Sequence, residues 1–205
     1  KYVLVKWVRR PIVPIMILGI IGLLASLLIY LFRGFSQLST VNIILAFAGG
    51  VFYILALLFY FQAAKLQEIS RIVPLCKLGS LFVFIMAAVF LGEIFTPVKY
   101  LGIGMLITGA VLISKKDYLK FEFGKAFWFM VFSAFAFALN LIVKKYLLGF
   151  TDYWTVFGYT RIGTIFVLIP VFYFNFYKLK EMFQEYGAKA VGVISLNQSL
   201  NVFGL

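Results

Sequence analysis

The chain has 205 residues, of which 64% are hydrophobic, 20% aromatic and only 13% charged. Soluble domains are about 45–50% apolar and about 25% charged, so a soluble globular domain is excluded, and so is a charge-rich disordered tail. The net charge of +12 would suggest nucleic acid in a soluble protein. Here the basic residues stand between long apolar runs, where membrane topology and lipid headgroups account for them. The class is an all-α membrane protein, with the lipid bilayer as a partner and no nucleic acid. The chain has no His, which removes imidazole acid–base chemistry and His metal sites. The single Cys76 has no internal disulfide partner.

About 20 apolar residues are needed to cross a bilayer core of roughly 30 Å. The first predicted span is 11–32, uncharged between Arg10 and Arg33. The second lies within 34–64, starting near Asn42, the third covers about 69–91 and the fourth 97–114. The fifth covers about 124–143 and the sixth 153–175, and a seventh begins near Gly187. Pro11 and Pro97 suit first-turn positions, whereas Pro74 and Pro170 fall inside spans and are expected to open the helix locally. Between spans six and seven, Leu179, Met182, Phe183 and Tyr186 recur at helical spacing against Lys178, Lys180, Glu181 and Glu185. That pattern predicts a short interfacial helix over 178–186, lying on the membrane.

The connections on one side, together with the segment before span one, carry 13 of the 19 Lys and Arg residues, and those on the other side carry 4. Taken alone, this places the 13-charge side in the cytoplasm. A shift of 144 residues lays Lys1 and Tyr2 on Lys145 and Tyr146, Leu4 on Leu148, Gly19 on Gly163 and Leu24 on Leu168. Span one then overlays span six, and span two overlays span seven. Five spans separate the equivalent helices, so the two copies would run in opposite directions, an arrangement that recurs in secondary transporters.

Residues 55–114 carry an Ala-rich helix end (Ala63, Ala64), a Pro-Leu opening (Pro74, Leu75) and the sequence Phe90-Leu91-Gly92-Glu93. A span with Gly102, Gly104 and Gly109 follows. This pattern resembles the EamA repeat of the drug/metabolite transporter superfamily, and Arg161 falls where a second-helix Arg commonly occurs in such repeats. The resemblance implies a helical bundle, part of a ten-helix transporter with two inverted five-helix repeats. Residues 1–116 would be the first repeat lacking its first helix, and 117–205 the second, cut off in its third. The intact chain would then have about 280–295 residues, with one helix upstream and roughly 55 residues downstream. Family members place both termini in the cytoplasm, which is opposite to the orientation from loop charge.

Charged side chains inside a span are costly and mark a pathway or a buried pair. Arg161 lies roughly 13 Å from Asp152 and 21 Å from Asn175 along a helix, too deep for easy snorkelling. Two readings stand for it: a polar cavity holding an anionic or carboxylate group of a substrate, or a structural link to a carboxylate on another helix. Lys77, roughly 9 Å from Arg71, either faces the cavity or snorkels. Asn197, Gln198 and Asn201 in span seven, and Asn140 in span five, either contact a polar solute or join helices. Tyr53 and Tyr60, spaced i,i+7, and Tyr159 are candidate aromatic walls. Glu93 reads as an interfacial ion pair with Lys99 or as a proton relay, and Asp152 as a helix cap. Gly19 and Gly22, and the set Gly102, Gly104, Thr108 and Gly109, allow close helix packing or a homodimer face.

The expected function is a multi-pass secondary transporter of the cell membrane, moving a small metabolite by alternating access and drawing on a coupled ion or proton. Its substrate-binding residues would be Arg161, Lys77, Asn197, Asn201, Tyr53 and Asn140, with no catalytic residue, metal or cofactor. No Walker A pattern is present to support ATP drive. A lipid-modifying or other intramembrane enzyme would need clustered Asp, Glu, His or Ser, whereas the seven carboxylates are scattered. A structural membrane subunit would instead predict a paired Arg161.

Overall fold

The computed structural model describes residues 12–67, 75–76, 78–114 and 124–203. Among them the chain forms seven α-helices and no strand. α1 (Ile12–Arg33) stops where Gly34 takes φ +72°, and the Gly34 N–H returns to the Tyr30 carbonyl at 2.8 Å. That left-handed residue is a common helix terminator, available to Gly at no steric cost. After the connection 34–39, Ser39 Oγ accepts the Asn42 N–H at 3.4 Å and caps α2 (Thr40–Leu66). α3 (Leu78–Leu91) ends the same way as α1: Gly92, φ +64°, turns the chain so that the Glu93 N–H reaches the Ala87 carbonyl at 3.3 Å. α4 (Pro97–Ser114), α5 (Lys125–Leu147), α6 (Tyr153–Gly163) and α7 (Ile165–Phe203) complete the order.

Four helical stretches are long and apolar enough to cross a membrane: Ile12–Arg33, Thr40–Leu66, Lys125–Leu147 and Tyr153–Glu181. α3 has 14 residues, fewer than a crossing needs; Pro74, with residues 68–73 and Lys77, lies outside the described residues. Two expectations are corrected in the last third of the chain. No separate surface helix forms over 178–186, because α7 runs without a break for 39 residues. An amphipathic pattern says which face of a helix is polar, not that a separate helix begins there. Polar groups near this stretch are satisfied by α7 itself: Asn175 Nδ2 donates to the Val171 carbonyl at 3.0 Å, and Lys178 Nζ to Asn175 Oδ1 at 2.6 Å.

The second correction concerns the opening of span six. It falls at Thr164 rather than at Pro170, which is carried inside α7. The Arg161 carbonyl accepts both the Thr164 N–H, at 3.2 Å, and the Thr164 hydroxyl, at 2.6 Å. A hydroxyl that bonds back to its own helix competes with the regular ladder and tightens the turn.

The chain packs as two compact units, one holding the described residues up to Ile54 and from Phe150 onward, the other Leu55–Gly149. In the first unit α1 packs along α6 and α7, with Val13, Ile17 and Ile194 buried together. Close approach there depends on Gly. A Cβ on Gly50 of α2 would overlap the Thr160 carbonyl oxygen and lie 2.7 Å from the Thr164 nitrogen. One on Gly163 of α6 would lie 2.5 Å from the Phe47 carbonyl oxygen. Gly19 and Gly22 of α1 similarly admit the side chains of Leu168 and Arg161.

In the second unit α3 lies along α5, burying Met86, Ala87, Ala138 and Ile142. Ser133 Oγ donates to the Ala56 carbonyl at 2.8 Å. Glu93 pairs with Lys145 at 2.5 Å, not with Lys99, whose ammonium lies over the Phe95 ring at 5.6 Å. Gly102, Gly104 and Gly109 of α4 meet no neighbour within 4 Å, so the close packing expected of that stripe is absent among the described residues.

These contacts separate glycines that look alike in sequence. Gly50→Ala is expected to abolish most of the folded yield, because backbone atoms cannot move aside. Gly102→Ala should hold the yield and raise helix stability by up to about 1 kcal/mol. Fluorescence-detected size exclusion with thermal challenge in detergent measures both.

Candidate functional site

The first unit holds the buried charge. Asp152 starts α6 as its N-cap, accepting the N–H groups of Trp154 at 3.0 Å and Thr155 at 3.3 Å. Its other oxygen accepts the hydroxyls of Thr155 at 2.7 Å and Ser36 at 3.1 Å. These bonds, the Thr155 hydroxyl foremost, hold the Asp152 carboxyl below the usual carboxylate range. Nine residues further along, Arg161 is 5% exposed.

The Arg161 guanidinium carbon lies 4.8 Å from the Tyr53 ring centroid and 5.0 Å from that of Phe157. Phe157 stands one turn back on the same helix, and Tyr53 comes from α2. The stem passes Gly22 of α1, where a Cβ would come within 3.1 Å of the Arg161 Cδ. Among the described residues the guanidinium makes no ion pair and no hydrogen bond. A charged side chain at mid-membrane costs roughly 2.5–3.5 kcal/mol on insertion scales, and each desolvated ring contact returns about 2 kcal/mol. Two rings therefore offset the burial of the charge. Neither ring supplies a hydrogen-bond acceptor of the usual kind, and the N–H donors have none among the described residues.

Two cavities lie in the same unit. One, of about 330 Å³, is bounded by Ser26, Tyr30, Phe35, Tyr159 and neighbouring aliphatic residues. The other, of about 550 Å³, is an apolar groove between α1 and α7 with no charged lining residue.

The model of the EamA-like transporter family matches residues 2–115, more than half of the chain. The chain belongs to the EamA-like transporter family. Over 55 residues it is also 39% identical to an uncharacterized transporter in the cobO 3' region of a Sinorhizobium species. That match covers 27% of this chain and 39% of the relative, so the chain spans well under half of the curated relative's length. The EamA-like chain is accordingly an integral membrane protein of a transporter family.

Of the predicted binding residues in this EamA-like chain, the structure brings together Arg161 and Tyr53. Asn140 is fully buried in α5 and belongs to the second unit. Lys77 lies outside the described residues, as do the side chains of Asn197 and Asn201, which the backbone places on α7. Gln198, next to them, is buried. Tyr159 turns away from Arg161 toward Phe35 and Phe47, at ring separations of 5.1 and 6.3 Å, and Tyr60 packs near Ala63 and Met130.

Phe157 was not among the residues singled out from the sequence. Its signal was present as an aromatic four residues before an intramembrane Arg, on the same helix face.

The Asp152 cap yields a pH dependence. Because the folded carboxyl is held below its unfolded value of about 3.9, its stabilisation is present above that pH. It is lost as pH falls through the lowered folded value. Asp152→Ala should cost about 1 kcal/mol at neutral pH and flatten the acid limb of the stability curve, measured as melting temperature against pH.

Proposed function

We propose that this chain is part of a secondary transporter of the cell membrane. It moves a small metabolite bearing a carboxylate or other anionic group, and Arg161 receives that group. The observation that carries the reading is the buried guanidinium, held between Tyr53 and Phe157 with no anionic partner among the described residues. A planar guanidinium offers paired N–H donors that fit a carboxylate in bidentate fashion. The interruption at Thr164, three residues further on, supports the reading, because transporter sites recur where membrane helices are discontinuous.

Two inverted repeats, 1–116 and 117–205, moving by alternating access, make up the rest of the proposal. It is supported by the 144-residue shift, which equates span one with span six; the corresponding helices α1 and α6 pack together. Lys77, Asn140, Asn197 and Asn201 remain proposed polar contributors to the pathway. An ion or proton gradient would provide the drive, and a homodimer is the proposed assembly.

The test is uptake of a metabolite panel by the full-length protein in liposomes. Arg161→Gln should raise KM for anionic substrates at least about tenfold, the scale of one lost charged hydrogen bond. Arg161→Lys should restore part of it and Tyr53→Leu should cost less. Unchanged uptake of every transported substrate by a folded Arg161→Gln protein would sink the assignment.

A further inference from the structure

The connection 34–39 does more than join α1 to α2. Its Phe35 ring occupies the space where a Cβ of Gly158 would stand, and contacts Tyr30 and Tyr159 at centroid separations of 5.2 and 5.1 Å. Ser36, the next residue, binds the start of α6 twice. Its N–H donates to Thr155 Oγ1 at 3.1 Å, and its hydroxyl donates to Asp152 Oδ1 at 3.1 Å. The Thr155 hydroxyl itself donates to Asp152 Oδ1 at 2.7 Å. One carboxylate thus gathers the segment and the helix start. Both ends of the segment are anchored, by the left-handed Gly34 and by the Ser39 cap of α2.

The residues involved on α6 follow a simple order. Asp152 and Thr155 hold Ser36, Gly158 seats Phe35, and Arg161 is the buried cation. They stand three residues apart, so each is about 4.5 Å further along the axis than the last. The ring therefore sits one such step from the level of Arg161, on the side toward the start of the helix. The ring also forms part of the wall of the cavity of about 330 Å³, together with Ser26, Tyr30, Tyr159 and Ile162, the neighbour of Arg161.

From this arrangement we infer that residues 34–39 form a strap that closes the approach to Arg161 from the N-terminal end of α6. Phe35 is the plug, and the Ser36–Thr155–Asp152 bonds are its latch. The inference rests on the proposed role of Arg161. It deepens that reading by naming the element that must move before a solute reaches the cation. The latch is made of a few polar bonds near the helix start, which open far more readily than a packed helix interface. Gly158 is required because any side chain there would displace the ring.

Thiol labelling of the full-length protein in nanodiscs tests the strap, with Cys76→Ser removing the exposed native thiol and Ser26→Cys as reporter in the cavity. Ser36→Ala removes the hydroxyl bond to Asp152 and should raise the labelling rate of a small hydrophilic reagent about tenfold. Phe35→Ala, which leaves the backbone latch in place, should raise it at least as much. Rates within about twofold of the parent for both variants, in protein that elutes as folded, overturn the strap.

Uptake in the same variants separates the two readings. Faster labelling with uptake indifferent to Arg161→Gln retains the strap and overturns the site. Arg161-dependent uptake with unchanged labelling does the reverse.

Discussion

A guanidinium in hydrocarbon must be compensated by something, and in this chain the compensation is aromatic. Tyr53 and Phe157 cover the Arg161 charge, and much of the surrounding geometry follows from accommodating that cluster. The Arg161 stem needs room beside α1, and Gly22 provides it. Tyr53 must reach the charge from α2, and the backbone approach at Gly50 and Gly163 brings α2 close to α6. Lipid offers helices no hydrophobic reward for association, so close backbone packing of this kind is what holds such helices together.

Compensation by rings differs in consequence from compensation by a carboxylate. An Arg–Asp pair neutralises the charge and saturates its donors, leaving a closed structural unit. A cation beside aromatic rings stays a cation, and the Arg161 donors find no acceptor among the described residues. Of the two readings that the sequence left open for Arg161, the structure provides no carboxylate for the second among the described residues. The same preference for local satisfaction recurs along α7, where Asn175 and Ser199 bond to carbonyls one turn back.

The membrane class and most helix positions were legible because apolar stretches of about 18–23 residues with at most a few charges have few other solutions. Pro97 marked the start of α4, and Gly92 in the Phe-Leu-Gly-Glu pattern marked the end of α3. The break at Thr164 was not legible. Pro170 draws the eye, but a hydroxyl bonding back to a carbonyl leaves no composition signal, since Thr occurs in straight helices too. The continuity of α7 was hidden for the opposite reason: an amphipathic stretch looks the same on a surface helix and on a long helix that continues. Arg161 stood out by charge and Tyr53 by spacing. Phe157 was obscured among 25 phenylalanines, where only contact with Arg161 distinguishes it. The ion pair of Glu93 went to Lys145 rather than Lys99 because helix packing, not sequence proximity, decides which ammonium arrives.

The turn at Thr164 has a mechanical consequence. Beyond it α7 meets α1 at two places, Leu168 against Gly19 and Ile194 with Val13 and Ile17. Leu168 and Ile194 are 26 residues apart, about 39 Å on a straight helix, yet both touch the same short stretch of α1. The axis of α7 therefore bends along its length, and its two ends clasp one helix. A change in tilt at Thr164 is then felt by α1 at both anchors together, so the helix whose Gly22 makes room for Arg161 moves with the backbone that carries the cation.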